Sequence, residues 1–293
     1  MQRYGGTWTA LITPFDASGE VDFAALRRLV RRQVEAGVTG ISPVGTTGES
    51  PTTTADEDRR IIEAVVEAAD GEAMVMAGTG SNVTLHAMEY TRAAKAAGAD
   101  CCMVVSPYYN KPTPSGLVMH YEAVADEGLP VIVYNIKGRT GSNVETDTLM
   151  RIAEHEMVAG VKEASGDPEQ MREVLRARPD GFTVLSGDDA LTLELMEMGG
   201  DGVVSVCANI APGEVAAMVR AALDGDWDAA RRGARELGEL FETLFIETNP
   251  VPVKYCAHRL GLCELVYRLP MCAPEDGSRA ALDRLLERYG FAK

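Results

Sequence analysis

The feature that most constrains this chain's fold is a regular alternation of short apolar runs with longer amphipathic segments. The apolar runs fall at 7–13, 40–45, 73–78, 100–106, 130–135, 158–162, 182–186 and 202–206. Most are continuously apolar rather than alternating, the pattern of parallel strands buried on both faces. Between them lie segments of helical period, including 22–36, 55–69, 84–97, 115–126 and 145–154. Asp22 and Thr54 stand where N-caps belong, Thr54 being followed by the early acids Asp56 and Glu57. Gly98, Gly199 and Gly200 read as helix stops. Eight strand–helix units before residue 224 predict an α/β chain folded as a (β/α)8 TIM barrel. The competing fold, a doubly wound open sheet, calls for a phosphate-cradling glycine fingerprint after its first strand, and Thr13-Pro14-Phe15-Asp16 is not one. Residues 1–224 are therefore expected to form the barrel. Residues 225–293 are expected to form a C-terminal helical segment, with helices near 226–245, 253–260 and 279–288.

Composition narrows the function. The chain has 293 residues, 46% of them hydrophobic, enough for a large core. Its net charge of −16 disfavours nucleic acid and anionic membrane surfaces as partners. No run of eighteen apolar residues is present, so no transmembrane helix is expected. The opening Met1-Gln2-Arg3-Tyr4-Gly5-Gly6 lacks a signal peptide's apolar stretch, and a cytoplasmic location is expected. The six cysteines show no CxxC spacing and read as small buried hydrophobes rather than zinc ligands or a disulfide framework. Cys101 and Cys102 are adjacent in one apolar run, where a strand sends them to opposite faces.

In a barrel of this kind, chemistry sits at the C-terminal ends of the strands and in the loops that follow. That rule selects Thr13, Thr46, Thr47, Gly78, Tyr108, Tyr109, Tyr134, Arg139, Lys162, Ser186, Gly187 and Ser205. Lys162, one of six lysines, ends an apolar strand candidate. A buried ammonium is costly unless it is paired or neutral. Position alone leaves two readings open: a structural lysine paired with Glu163 or another carboxylate, or a neutral amine acting as a nucleophile toward carbonyl carbon. Tyr134 ends the neighbouring strand and is either a packed aromatic or a proton donor and acceptor beside the lysine. Arg139 lies in a glycine-containing loop, either solvated or clamping a carboxylate. The loop Val44-Gly45-Thr46-Thr47-Gly48-Glu49-Ser50 offers two hydroxyls and several backbone N–H groups, a carboxylate nest or a polar turn. It lacks the lysine of a P-loop. Gly78-Thr79-Gly80-Ser81-Asn82-Val83 lacks the third glycine of a dinucleotide fingerprint, and the four histidines form no HxxxH pair.

Several stretches together resemble one family. They are Gly45-Thr46-Thr47-Gly48-Glu49-Ser50, Ser106-Pro107-Tyr108-Tyr109-Asn110-Lys111-Pro112, Tyr134-Asn135, Gly138-Arg139-Thr140-Gly141, Gly160-Val161-Lys162-Glu163-Ala164, Leu185-Ser186-Gly187-Asp188-Asp189 and Asn249-Pro250-Val251-Pro252-Val253-Lys254. In this order they resemble the dihydrodipicolinate synthase family of pyruvate-dependent class I aldolases, of which N-acetylneuraminate lyase is a relative.

The resemblance implies a lyase or synthase of lysine and diaminopimelate biosynthesis that condenses pyruvate with L-aspartate-4-semialdehyde to 4-hydroxy-tetrahydrodipicolinate. Alternatives that keep the same lysine are a 2-keto-3-deoxy sugar acid aldolase and a sialic acid lyase; a non-catalytic ligand-binding barrel is a third. By resemblance, Lys162 forms the Schiff base, so no metal or organic cofactor is expected. Tyr134 is the general acid/base, and Thr46 and Tyr109 complete a hydroxyl relay, Tyr109 reaching into a neighbouring subunit. Thr47 holds the pyruvate carboxylate, Arg139 binds the semialdehyde carboxylate, and Gly187 and Val204 line the pyruvate site. A homo-oligomer, a dimer of dimers, is implied.

The sequence departs from the family at Lys137, where proline is common. It departs also at the effector positions of lysine-inhibited members, Ser50, Ala55, Asp58, Asn82, His86 and Tyr108. There the glutamate that would hold the effector's amino group is replaced by His86, and the histidines common at two other positions by Ala55 and Asp58. Weak or absent feedback is expected.

Overall fold

A computed structural model of the chain describes residues 4–291. Eight strands, β1 (Gly6–Ala10), β2 (Gly40–Ser42), β3 (Met74–Gly78), β4 (Cys101–Val105), β5 (Val131–Asn135), β6 (Val158–Glu163), β7 (Thr183–Ser186) and β8 (Gly202–Ser205), close a barrel in chain order. Every neighbouring pair is parallel, including β8 with β1. The helices around and beyond it are α1 (Phe23–Glu35), α2 (Ala55–Ala69), α3 (Thr84–Ala96), α4 (Pro114–Ala125), the short α5 (Lys137–Thr140), α6 (Thr146–Ile152), α7 (Pro168–Ala177), α8 (Thr192–Glu197), α9 (Pro212–Leu223), α10 (Trp227–Thr243), α11 (Val251–Arg259) and α12 (Asp276–Arg288). The chain is thus the (β/α)8 TIM barrel with C-terminal helices that the alternation predicts. Among the described residues no helix is long and apolar enough to cross a membrane.

Local sequence sets the helix starts. Asp22 accepts a hydrogen bond from the Ala25 N–H, and Thr54 with Glu57 forms a reciprocal capping box. Thr113 caps α4 and Asp167 caps α7, each followed by a proline whose missing N–H costs the first turn nothing.

Strand alternation divides the core into two layers. Trp8, Met76, Cys101, Ile132, Leu185 and Val204 fill the barrel interior, while Ile41, Val75, Cys102, Val133 and Val203 pack outward under the helices. Cys101 and Cys102 fall in different layers, as a strand requires. Trp8 fits because residue 40 is glycine: a Cβ there would lie 2.3 Å from the indole ring. The outer layer runs without a break into Leu237, Phe241, Val253, Cys256 and Leu282, so α10–α12 share the barrel's core.

Two strands, β1 and β2, end three residues before their apolar runs do. β1 stops at Ala10 because the Asn209 side chain takes over the ladder: its Nδ2 donates to Ala10 O at 2.7 Å and its Oδ1 accepts from Ile12 N at 3.1 Å. β2 stops at Ser42 because Pro43 has no N–H to give and Val44 turns to a φ of 57°. A β-branched residue in that region is strained, and here the strain starts the loop that carries Thr46 and Thr47.

Candidate active site

The site is assembled at the C-terminal mouth of the barrel. The register pairs Tyr134 of β5 directly with Lys162 of β6, so both side chains leave the same face and enter the mouth. Lys162 is 5% exposed, and its Nζ lies 4.0 Å from the centroid of the Tyr134 ring. Alternation sends Glu163 the other way, where it accepts hydrogen bonds from Ser165 N at 2.6 Å and Asn135 Nδ2 at 3.2 Å. Pairing with Glu163 therefore does not occur. Among the described residues Lys162 makes no ion pair, and the carboxylate that acts on it through space is Asp189. Burial lowers the Lys162 pKa to about 7, with Asp189 opposing the shift and Arg139 adding to it. At neutral pH such an amine is unprotonated far more often than an ordinary lysine, for which the fraction is about one in several thousand.

Tyr134 is held as a neutral phenol. Burial pushes its pKa up to about 12, against the opposing field of Arg139 and a hydrogen bond with the Thr46 side chain. The phenol therefore has a proton to give and, through Thr46, a hydroxyl neighbour with which to exchange it.

Thr47 and Arg139 come from different loops and are joined by Asn249, between α10 and α11. Its Nδ2 donates to Thr47 Oγ1 at 2.9 Å, and its backbone oxygen accepts from the Arg139 guanidinium at 3.0 Å. Because Thr47 Oγ1 accepts from Asn249, its own hydroxyl proton stays available for a substrate oxygen. Gly187 follows β7, and a Cβ on it would lie 3.0 Å from Lys162 Cε and 2.6 Å from Ala164 Cβ. Glycine there leaves the lysine room to reach the cavity.

The cavity measures ≈ 50 Å³ and is lined by Thr46, Thr47, Tyr134, Arg139, Lys162 and Gly187, together with Ser42, Phe245 and Asn249. That is room on the order of four water-sized groups, the scale of a small keto acid. Val204 does not line it. Its side chain packs in the barrel interior with Tyr134 and Leu185, and the chain after β8 contributes Val206 to the wall instead. Tyr109 is also elsewhere: it is 90% exposed, at a left-handed φ of 72°, outside its own protomer's cavity. A second, larger groove of ≈ 530 Å³ lies beside the mouth, lined by Ser50, Asp58, Asn82, His86 and Tyr108 and bordered by Thr46 and Arg139. Ala55, the sixth effector position, is not in its lining. Lys137 is exposed at the first position of α5.

Two contributors escaped the sequence reading. Asp189 is 3% exposed and accepts hydrogen bonds from Ser205 Oγ and from the backbone N–H groups of Val206 and Cys207. Burial pushes its pKa up to about 6. The Asp188-Asp189 pair was visible, but only the fold tells which of the two turns inward. Asn249 was visible in its stretch, but nothing local connects it to Thr47, 202 residues away. Among the described residues, no group of three or more His, Cys, Asp or Glu side chains is placed to hold a metal ion.

Comparison with known proteins accords with this geometry. The sequence profile of the dihydrodipicolinate synthetase family matches residues 3–289. The 4-hydroxy-tetrahydrodipicolinate synthase of Chlorobium phaeobacteroides is 47% identical over 99% of this chain and 99% of its own length. The dihydrodipicolinate synthase structure from Aquifex aeolicus superposes with a TM-score of 0.96 at 43% identity, covering 98% of this chain and 99% of that one. A chloride-inhibited dihydrodipicolinate synthase from Acinetobacter baumannii, complexed with pyruvate, has a TM-score of 0.96 at 39% identity, with 98% and 99% covered. The chain belongs to the dihydrodipicolinate synthetase family.

Proposed function

We propose that this chain is a 4-hydroxy-tetrahydrodipicolinate synthase, condensing pyruvate with L-aspartate-4-semialdehyde in the route to diaminopimelate and lysine. The observation that carries the reading is the unpaired, buried Lys162 amine, with its pKa near 7, facing the neutral Tyr134 phenol across one rung of the ladder.

The chemistry follows from those two groups. The neutral Nζ adds to C2 of pyruvate, and Tyr134 protonates the carbonyl oxygen so that it leaves as water. The resulting iminium draws electrons from the methyl group, which loses a proton to give the enamine. The enamine carbon attacks the semialdehyde's carbonyl carbon, whose oxygen takes a proton through the Tyr134 and Thr46 hydroxyls. The product's amino group then adds to the iminium carbon, closes the ring and releases Lys162 as the free amine. The covalent lysine supplies the electrophilic catalysis, so the reading calls for no further cofactor.

Thr47 donates to the pyruvate carboxylate, and Arg139, fixed by Asn249, receives the carboxylate of the semialdehyde. Gly187 keeps the lysine's path open, and Val204 shares the interior cluster of Tyr134. Tyr109, exposed on its own protomer, completes the relay in a neighbouring copy, so the working form is a homo-oligomer, a dimer of dimers. The effector groove carries Asp58 and His86 where inhibitable members are expected to differ, and feedback by lysine is weak or absent. Cys102, Cys207, Cys256, Cys263 and Cys272 are free thiols, which fits a reducing compartment, the cytoplasm. A coupled assay offering pyruvate with aspartate semialdehyde or with the aldehydes of keto-deoxy sugar acids tests the assignment. Turnover with the semialdehyde supports it, and preference for the sugar aldehydes overturns it in favour of a sugar acid aldolase.

A further inference from the structure

Ser42 ends β2 and sits where no local contact accounts for it. It pairs in register with Ala10, and alternation along β2 puts Ile41 in the outer core and Ser42 on the inward face, like Gly40 beneath the Trp8 ring. It is 1% exposed, and its Oγ has no hydrogen-bond partner among the described residues. A buried hydroxyl without a partner is a standing cost that alanine would remove. The same side chain lines the cavity of Lys162. β2 and β6 stand four strands apart in a closed barrel of eight, so Ser42 looks at Lys162 from the opposite wall. Thr46 and Thr47 hang from the loop that continues β2, on that same wall. One wall therefore presents three hydroxyls to the amine, and two of them already have protein partners.

We infer that Ser42 is a third hydroxyl that binds the keto acid: its O–H donates to a carboxylate oxygen of the pyruvate held on Lys162, beneath the contact made by Thr47. This rests on the proposed function and deepens it, since it adds a pyruvate-specific contact to the same cavity. A carboxylate oxygen accepts more than one hydrogen bond, so Ser42 and Thr47 do not compete. A contact present in both ground and transition states changes KM rather than kcat.

The test compares wild-type protein with Ser42→Ala, measuring KM for each substrate and the thermal midpoint with and without pyruvate. Loss of a hydrogen bond to a charged group is expected to raise KM for pyruvate on the order of tenfold, leaving kcat and the semialdehyde KM within about twofold. The midpoint without pyruvate is expected to hold or rise, and the rise produced by pyruvate to shrink. Should Ser42→Ala fail to fold, Ser42→Cys, with a weaker donor of similar size, carries the same comparison. An unchanged pyruvate KM, in a wild-type protein that forms a borohydride-trapped adduct with pyruvate, overturns the role of Ser42 alone. A wild-type protein that forms no adduct overturns the function on which it rests.

Discussion

Among the described residues two lysines are buried, and the contrast between them separates structure from chemistry. Both lie against an aromatic ring at the same distance: Lys162 Nζ is 4.0 Å from the Tyr134 ring and Lys254 Nζ is 4.0 Å from the Phe15 ring. Lys254 on α11 is 0% exposed and pairs with Glu49 at 2.5 Å. Burial lowers its pKa, and the contact with Glu49 works against that shift. Glu49 sits at a φ of 56° at the end of the threonine loop and also receives the Arg268 N–H at 3.3 Å. The pair ties the C-terminal helices to the loop that holds Thr46 and Thr47. Among the described residues Lys162 makes no such pair, and Asp189 acts on it only through space. A lysine with a partner is a strut, and the one without a partner is the amine proposed to react.

Exchanging each lysine for methionine is the strongest way to break this contrast. Lys162→Met is expected to abolish pyruvate adduct formation and turnover while leaving the thermal midpoint unchanged or higher, because it removes a buried titrating group without orphaning a partner. The effect depends on pH in a definite sense. The Lys162 pKa is lower in the folded state, near 7, than the ordinary 10.5 of the unfolded chain. Between those values the unfolded chain binds more protons, so stability rises with pH across that window. Lys162→Met is expected to flatten that rise, as read by denaturant unfolding at several pH values. A destabilised Lys162→Met would mean that the lysine was a strut after all.

Tyr134→Phe comes next. It leaves Lys162 and its ring contact in place but removes the proton donor, so turnover is expected to fall by about 10²–10⁴-fold with pyruvate still binding. Unchanged turnover would remove Tyr134 from the relay. Lys254→Met leaves Glu49 as an uncompensated buried charge and is expected to cost about 3–5 kcal/mol of stability, with part recovered by adding Glu49→Gln. Full stability in the single variant would show the pair to be dispensable. The smallest effect is that of Asp189→Asn. Without the carboxylate that opposes it, burial should lower the Lys162 pKa further, moving the pH midpoint of adduct formation down by up to about one unit. An upward movement would contradict the through-space role.

The sequence carried the barrel because burial on both faces writes parallel strands as apolar runs, and carried Lys162 because a lysine closing such a run has no cheap explanation. Tyr134 followed from being at the end of the adjacent strand. Less legible was whatever depends on long-range geometry. The turn of Asp189 toward Lys162, the span of Asn249 from Thr47 to Arg139, and the Lys254–Glu49 pair join segments distant in sequence. The early end of β1 was hidden for a similar reason, an asparagine from beyond β8 replacing its ladder, whereas β2 is halted locally by a proline and a left-handed valine. Val204, expected at the pyruvate site, shares the interior cluster of Tyr134 and Leu185, while Val206 stands in the cavity wall.

The proposed role of Lys162 as the reactive amine rests on its burial and on its lack of an ion pair among the described residues. Trapping with pyruvate and borohydride across a pH series, followed by peptide mass mapping, tests it most directly. One adduct is expected, on Lys162, with a yield that rises with a midpoint near pH 7. An adduct on Lys254, no adduct at all, or a midpoint near the ordinary lysine value of 10.5 would contradict it.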